Sequence, residues 1–266
     1  MPSYAIVGAS RGIGLEFVKQ LSADPNNTVF GIVRNPAGSP NLTNIKAPNV
    51  RVVKADITDR KSLDSAAAEI AKVTGGSLDV LINNAALLPE GRTEQSIGAY
   101  GPDEQEVLAQ DLRDAFNVNV VGVVHSVNAF LPLLKKGSVK KVITLSTGTA
   151  DLDFTLKVNF PLTTAYSISK AAVNMVVAKY AVENKADGIA FLAISPGVVN
   201  TAEKPPSPEE LEAYKGLVVA FKKDYPSWKG PITPAESVTA MRKVIDNFTI
   251  EQTGAYLSHW GNKQWL

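Results

Sequence analysis

Short apolar runs alternate with segments of helical period along the whole chain. Residues 4–7, 28–33, 50–54, 80–82, 139–145 and 189–194 are apolar-rich runs that read as short strands, buried on both faces. Between them, 14–22, 62–73, 104–116 and a longer stretch at 165–183 repeat apolar positions every three or four residues, the period of an amphipathic helix. Asp59 can cap the helix beginning near Arg60, and Thr163 or Thr164 the one before Tyr166. Strands alternating with helices require parallel crossovers and a sheet covered on both faces. No linker or internal repeat interrupts the alternation, so the pattern predicts one doubly wound parallel α/β domain over residues 1–266. One segment departs from it. Residues 200–234 carry Pro205, Pro206, Pro208, Pro226, Pro231 and Pro234 around a helical stretch at 208–222, and read as a lid over a site or as a solvated surface excursion.

Composition narrows the function classes. With 45% hydrophobic and 20% charged residues and a net charge of +1, the chain is ordinary globular material and offers no basic surface for nucleic acid or an anionic membrane. No apolar run reaches the length expected of a membrane span, and residues 1–8 lack the basic head of a signal peptide. There is no cysteine, which excludes disulfides, thiolate catalysis and cysteine metal sites, and only two histidines, His125 and His259, so no metal site is expected. A cytoplasmic location fits this composition.

Directly after the first strand comes Gly8-Ala9-Ser10-Arg11-Gly12-Ile13-Gly14, opening into a helix. Gly8, Gly12 and Gly14 let the backbone turn and approach a ligand, while the helix start aims free N–H groups and its positive dipole end at a pyrophosphate. The same residues satisfy G-x-S-x-G, which would make Ser10 the nucleophile of a serine hydrolase with His259 following in order. Against that, an elbow on the first strand has no preceding strand and loop to supply the second oxyanion donor. The end of the second strand, Gly31-Ile32-Val33-Arg34-Asn35, offers no carboxylate for a ribose 2′-OH. Arg34, with Arg11 in the glycine loop, instead suits a 2′-phosphate, so NADP(H) is expected over NAD.

Tyr166 and Lys170 stand four apart on a helical segment and therefore share a face. A phenol titrates near ~10, and a neighbouring ammonium is expected to draw it toward neutrality, where proton transfer is effective. The glycine loop, Asn83-Asn84-Ala85-Ala86, Asn119, the hydroxyls Ser146 and Thr147 and the Tyr166/Lys170 pair follow one another in an order that resembles the short-chain dehydrogenase/reductase family over essentially the whole chain. Ser195-Pro196-Gly197-Val198-Val199-Asn200-Thr201 is similar to that family's turn beside the nicotinamide.

The resemblance, nearest to the carbonyl-reductase-like branch, implies a Rossmann-type oxidoreductase that interconverts a carbonyl and an alcohol. Tyr166 would be its general acid, Lys170 the residue that lowers the phenol pKa and holds the nicotinamide ribose, and Asn119 the holder of a relay water. Thr147, with Ser146 beside it, would orient substrate. Ser10, Arg11, Gly12 and Ile13 would face the phosphates, Asn84 and Ala85 the adenosine ribose, Asp56 and Ile57 the adenine, and Pro196, Val199 and Thr201 the nicotinamide. The chain departs from the family at Val7, where a threonine is usual, at Ala86, where a glycine is usual, and in a longer Thr147–Tyr166 spacing. The resemblance also implies a homodimer or homotetramer. An epimerase, a lyase or a non-catalytic dinucleotide-binding protein on the same scaffold stays open, with the serine hydrolase as a distant alternative. His125 reads as a satisfied packing histidine, Asp151 and Asp153 as solvated loop residues. Tyr214, Phe221, Tyr225 and Trp228 read either as closing over an apolar substrate or as anchoring their segment.

Overall fold

The apolar runs become the strands of one sheet. In the computed structural model, which describes residues 1–89, 91–202 and 208–266 without the side chains of 208–210 and 212–214, these are β1 (Ser3–Val7), β2 (Thr28–Val33), β3 (Val50–Lys54), β4 (Val80–Asn83), β5 (Lys141–Leu145), β6 (Ala190–Ser195) and β7 (Tyr256–Ser258). All pairings are parallel, in the order β3-β2-β1-β4-β5-β6-β7. The fifth strand starts later than its apolar pattern suggests. The N–H groups of Ser138 and Val139 donate to the buried Asp79 carboxylate, and Lys140 takes a left-handed φ of 53°, so pairing begins only at Lys141. The seventh strand escaped the pattern because it is three residues long and is defined by its partner β6.

The helices are α1 (Gly12–Ser22), α2 (Pro40–Thr43), α3 (Arg60–Thr74), α4 (Gln105–Phe116), α5 (Gly122–Leu134), α6 (Leu152–Lys157), α7 (Thr164–Glu183), α8 (Pro208–Asp224) and α9 (Pro234–Asn247). Asp59 caps α3 by accepting from the Lys61 N–H at 2.9 Å, as its position implies. The start of α9 was hidden inside the proline-rich segment. Pro234 initiates the helix, and Thr233 and Glu236 close a reciprocal capping box.

Helix α4 runs into α5 through a π-helical turn, Asn117–Val121. Residues Pro102–Leu134 thus form one helical stretch long and apolar enough, by length and composition, to cross a membrane, which corrects the expectation that no such run exists. Much of that apolar character is used inside the molecule, where Val123, Val127, Phe130 and Leu134 are buried in the core between helices and sheet.

Alternate strand residues serve opposite faces. Ala5, Val7, Phe30, Leu81, Val142 and Phe191 pack with α3, α5 and α7, while Ile6, Val29, Ile82, Ile143 and Leu192 pack with α1 and α9. From β1 the chain builds outward to β3, then returns to place β4 on the other side of β1. Connections leave the carboxyl ends of β1 and β4 in opposite directions, which opens a crevice there.

Candidate active site

Two clefts meet along that crevice. One, of about 690 Å³, is lined by Gly8, Ser10, Arg11, Gly12, Ile13, Arg34, Asp56, Ile57, Asn84, Ala85 and Thr201. The other, of about 350 Å³, is lined by Ser146, Thr147, Tyr166, Lys170, Pro196, Val199 and Thr201. Ile13, Asn84, Ala86 and Thr201 line both, so the two are continuous.

The glycine loop folds as it does because a side chain would not fit. Gly8 has a φ of +88°, and a Cβ there would stand 2.7 Å from the backbone of Ala85. Gly14 lines neither cleft; a Cβ on it would collide with the Gly8 carbonyl at 2.1 Å, so it serves the packing of α1 onto β1. The hydroxyl missing at Val7 is replaced in effect by other bonds. The N–H groups of Asn84 and Ala85 donate to the Val7 carbonyl, and the Asn84 side-chain amide donates to the Gly8 carbonyl at 2.7 Å. Arg34 is exposed at the end of β2 and Arg11 is exposed in the loop, both on the larger cleft. Asp56 accepts from the N–H and hydroxyl of Thr58, which holds its turn under the same cleft.

On α7, Tyr166, Lys170 and Asn174 recur every four residues and so share a face. Lys170 is buried, and its ammonium donates to the Leu145 carbonyl at the end of β5 at 2.6 Å. It stands 5.6 Å from the centre of the Tyr166 ring. Burial pulls the Lys170 ammonium down to about 8 and pushes the Tyr166 phenol up to about 12. Desolvation is the cause acting on each group in the chain by itself, raising the phenol and lowering the ammonium, in place of the expected downward pull on the phenol.

The two hydroxyls after β5 part company. Ser146 is buried and donates to the Asn174 side-chain oxygen at 2.7 Å. Thr147 pairs with the Thr149 hydroxyl at 3.1 Å, which accepts from Ser167 at 2.8 Å; Ser167 in turn pairs with Thr163 at 2.9 Å. Thr147, Thr149 and Thr163 line the smaller cleft beside Tyr166. Thr163 occupies the cap position of α7 in a left-handed φ of 54°, but its hydroxyl turns to Ser167 and makes no cap bond.

Asn119 lies wholly buried in the π-helical turn. Its side chain donates to the Leu87 carbonyl and the Ser169 hydroxyl and accepts from the Leu87 N–H, which clamps the loop after β4 to α7. Asn119 thus braces the site, and it lines neither cleft.

Ser10 and His259 are not brought together. Ser10 lines the larger cleft, while the His259 ring is buried against Gly197 and lines two other hollows. Burial holds His259 down to about 4. His125 packs on α5 with its Nδ1 buried and, among the described residues, without a hydrogen bond, so it is not the satisfied histidine expected. Asp151 is not simply solvated: it caps α6 through the Phe154 N–H at 2.9 Å. Phe221 lines the smaller cleft and Trp228 packs behind it; Pro205, Pro206 and the side chains of Pro208 and Tyr214 lie outside the described residues.

Sequence reasoning missed Phe154 and Trp265, which line the smaller cleft, and Tyr256, whose hydroxyl donates to the Thr147 carbonyl. It also missed Asn174, although its place four residues after Lys170 was a readable signal. The other three stand on short or terminal segments with no periodicity to mark them.

The comparisons agree with this geometry. Residues 3–212 match the family model described as short chain dehydrogenase. Among curated relatives, the short-chain dehydrogenase/reductase AacuF of Aspergillus aculeatus is 46% identical and the short chain dehydrogenase virK of Hypocrea virens 44%, each over all of both chains. Among solved structures, the NADPH-bound carbonyl reductase from chicken fatty liver superposes with a TM-score of 0.79 at 27% identity, covering 98% of each chain. The order of motifs, the doubly wound sheet and these matches have one meaning: the chain is an oxidoreductase and belongs to the short-chain dehydrogenase/reductase family.

Proposed function

We propose that the protein is an NADP(H)-dependent reductase of ketones or aldehydes, with Tyr166 as the proton donor. The observation that carries this is the continuity of the two clefts: the glycine loop and Arg34 line one, Tyr166, Lys170 and Thr147 line the other, and Thr201 belongs to both. The residues fit a dinucleotide phosphate. The glycine loop and the start of α1 line the larger cleft, where a helix N-terminus suits a pyrophosphate, and Arg11 and Arg34 supply charge for a further phosphate. When bound, the nicotinamide supplies the hydride.

The protein's own residues handle the proton. Burial keeps the Tyr166 phenol protonated at neutral pH, and Tyr166 would pass that proton to the carbonyl oxygen as alcohol forms, the Lys170 ammonium easing the transfer by favouring the phenolate. Lys170, near 8, is mostly an ammonium at neutral pH and stabilises the phenolate left behind. Thr147, in its row of hydroxyls, donates to the same carbonyl oxygen and orients it.

Titration with NADPH and NADH, followed by nicotinamide fluorescence, tests the reading. NADPH should bind about 10- to 100-fold tighter, and Arg34→Ala should remove the difference, as expected for loss of charge-assisted bonds worth ~1.5–3 kcal/mol. Binding of neither nucleotide would overturn the reading. Binding without reduction of any carbonyl would leave a non-catalytic binding protein.

A further inference from the structure

The smaller cleft has two unlike walls. On one side stand the hydroxyls of Thr147, Thr149 and Tyr166. On the other, Phe154 from α6, Phe160, Leu217 and Phe221 from α8, and Trp265 form a separate apolar cluster away from the sheet core. Lys170, committed to the Leu145 carbonyl, is the only charged side chain among the described residues of this cleft.

The apolar wall is built and braced. Phe221 meets Phe154 edge-on at 5.7 Å and Phe160 at 5.4 Å, and all three are almost fully buried. Trp265 stacks on Tyr256 at 4.4 Å, and Tyr256 is bonded to the Thr147 carbonyl. Trp265 reaches this place only because position 148 is glycine: a Cβ there would lie 2.7 Å from the Trp265 Cβ. The tryptophan is thereby tied to the same turn that carries the substrate-facing hydroxyl.

From this arrangement we infer that the cleft selects an uncharged, fused-ring aromatic ketone, its oxygen toward Thr147 and Tyr166 and its rings against Phe154, Phe221 and Trp265. An ionised substituent would be moved from water against these aromatic rings, a costly transfer, and the one charged side chain among the described residues of the cleft, Lys170, is already bonded to the Leu145 carbonyl. A flat aromatic body gains edge and stacking contacts with these rings beyond what its area gives, which a saturated body of the same size does not. This inference rests on the reductase reading and specifies its substrate.

Calorimetric titration of the chain, with and without NADP+, against three ketones tests it: 2-tetralone, its saturated counterpart 2-decalone, and a carboxylate-bearing 2-tetralone. The expected order is 2-tetralone tighter than 2-decalone by about 2- to 10-fold, and tighter than the carboxylate by at least roughly tenfold. Phe221→Leu, and independently Phe154→Leu, should erase the preference for the aromatic ketone while NADPH affinity, read in parallel, shows that the fold is intact. Equal binding of decalone, equal binding of the carboxylate, or no binding of 2-tetralone overturns the inference even if NADPH binds and other carbonyls are reduced. Loss of NADPH binding in the unaltered protein would instead count against the reductase reading.

Discussion

The two halves of the crevice are built differently. In the larger cleft, the glycine loop, Arg34 and Asp56 each stand within two residues of the end of a strand, β1, β2 and β3, and the backbone does most of the shaping. The smaller cleft is assembled from α6, α7, α8, the turn after β6 and residues near position 265, with Phe154 and Leu266 standing 112 positions apart. The first half is a set of local turns hung on a sheet edge. The second is a packing arrangement, and its chemistry exists only once those segments meet. A local turn tolerates little change in backbone, whereas a packed wall tolerates exchange of side chains and so can change its substrate without changing its fold.

Three substitutions or conditions separate the halves, beginning with the largest effect. Tyr166→Phe should lower the rate of carbonyl reduction by about a thousandfold, within the range known for general acids, with NADPH affinity little changed. A full-rate Tyr166→Phe enzyme would move the proton donor elsewhere in the cleft.

Gly8→Ala acts on the other half. It combines an unfavourable positive φ with a Cβ 2.7 Å from the Ala85 backbone, so it should destabilise the fold by about 2–5 kcal/mol and weaken both nucleotides alike. Denaturant unfolding and NADPH titration read the two effects separately. An unchanged midpoint would mean that the loop after β4 yields more readily than its bonds to Val7 and Gly8 imply.

The smallest effect is a pH dependence seated behind the substrate half. His259 is held to about 4 by burial, below the value near ~6.5 of an unfolded chain. Between these values the unfolded state binds the extra proton, so stability is lost as pH falls from about 6.5 to about 4. Thermal unfolding across that window should show the loss, and His259→Gln should flatten it. Identical slopes in both proteins would assign the acid sensitivity to other groups.

Legibility in the sequence follows the same division. The positions of six strands, the Asp59 cap and the shared face of Tyr166 and Lys170 depend on residues near one another in the chain, and periodicity reports them directly. The glycine loop was readable for the same reason, as was Arg34 at the end of β2. Pro234 was read as punctuation and proved to be a helix start, since only its bonded neighbours Thr233 and Glu236 distinguish the two. The roles of Ser146 and Thr147 could not be ranked from their order alone. Their side chains point to different partners, and those partners come from α7 and from the turn that follows β5.

What the sequence determined by itself is the alternation of strand and helix, the glycine turn after β1 and the four-residue spacing of Tyr166 and Lys170, because each is fixed by backbone geometry over a few residues. Tertiary structure alone decided the desolvation of that pair and the character of the aromatic wall. Desolvation depends on everything packed around Tyr166 and Lys170, and the wall of Phe154, Phe221 and Trp265 depends on segments that share no local pattern and meet only when the chain is folded.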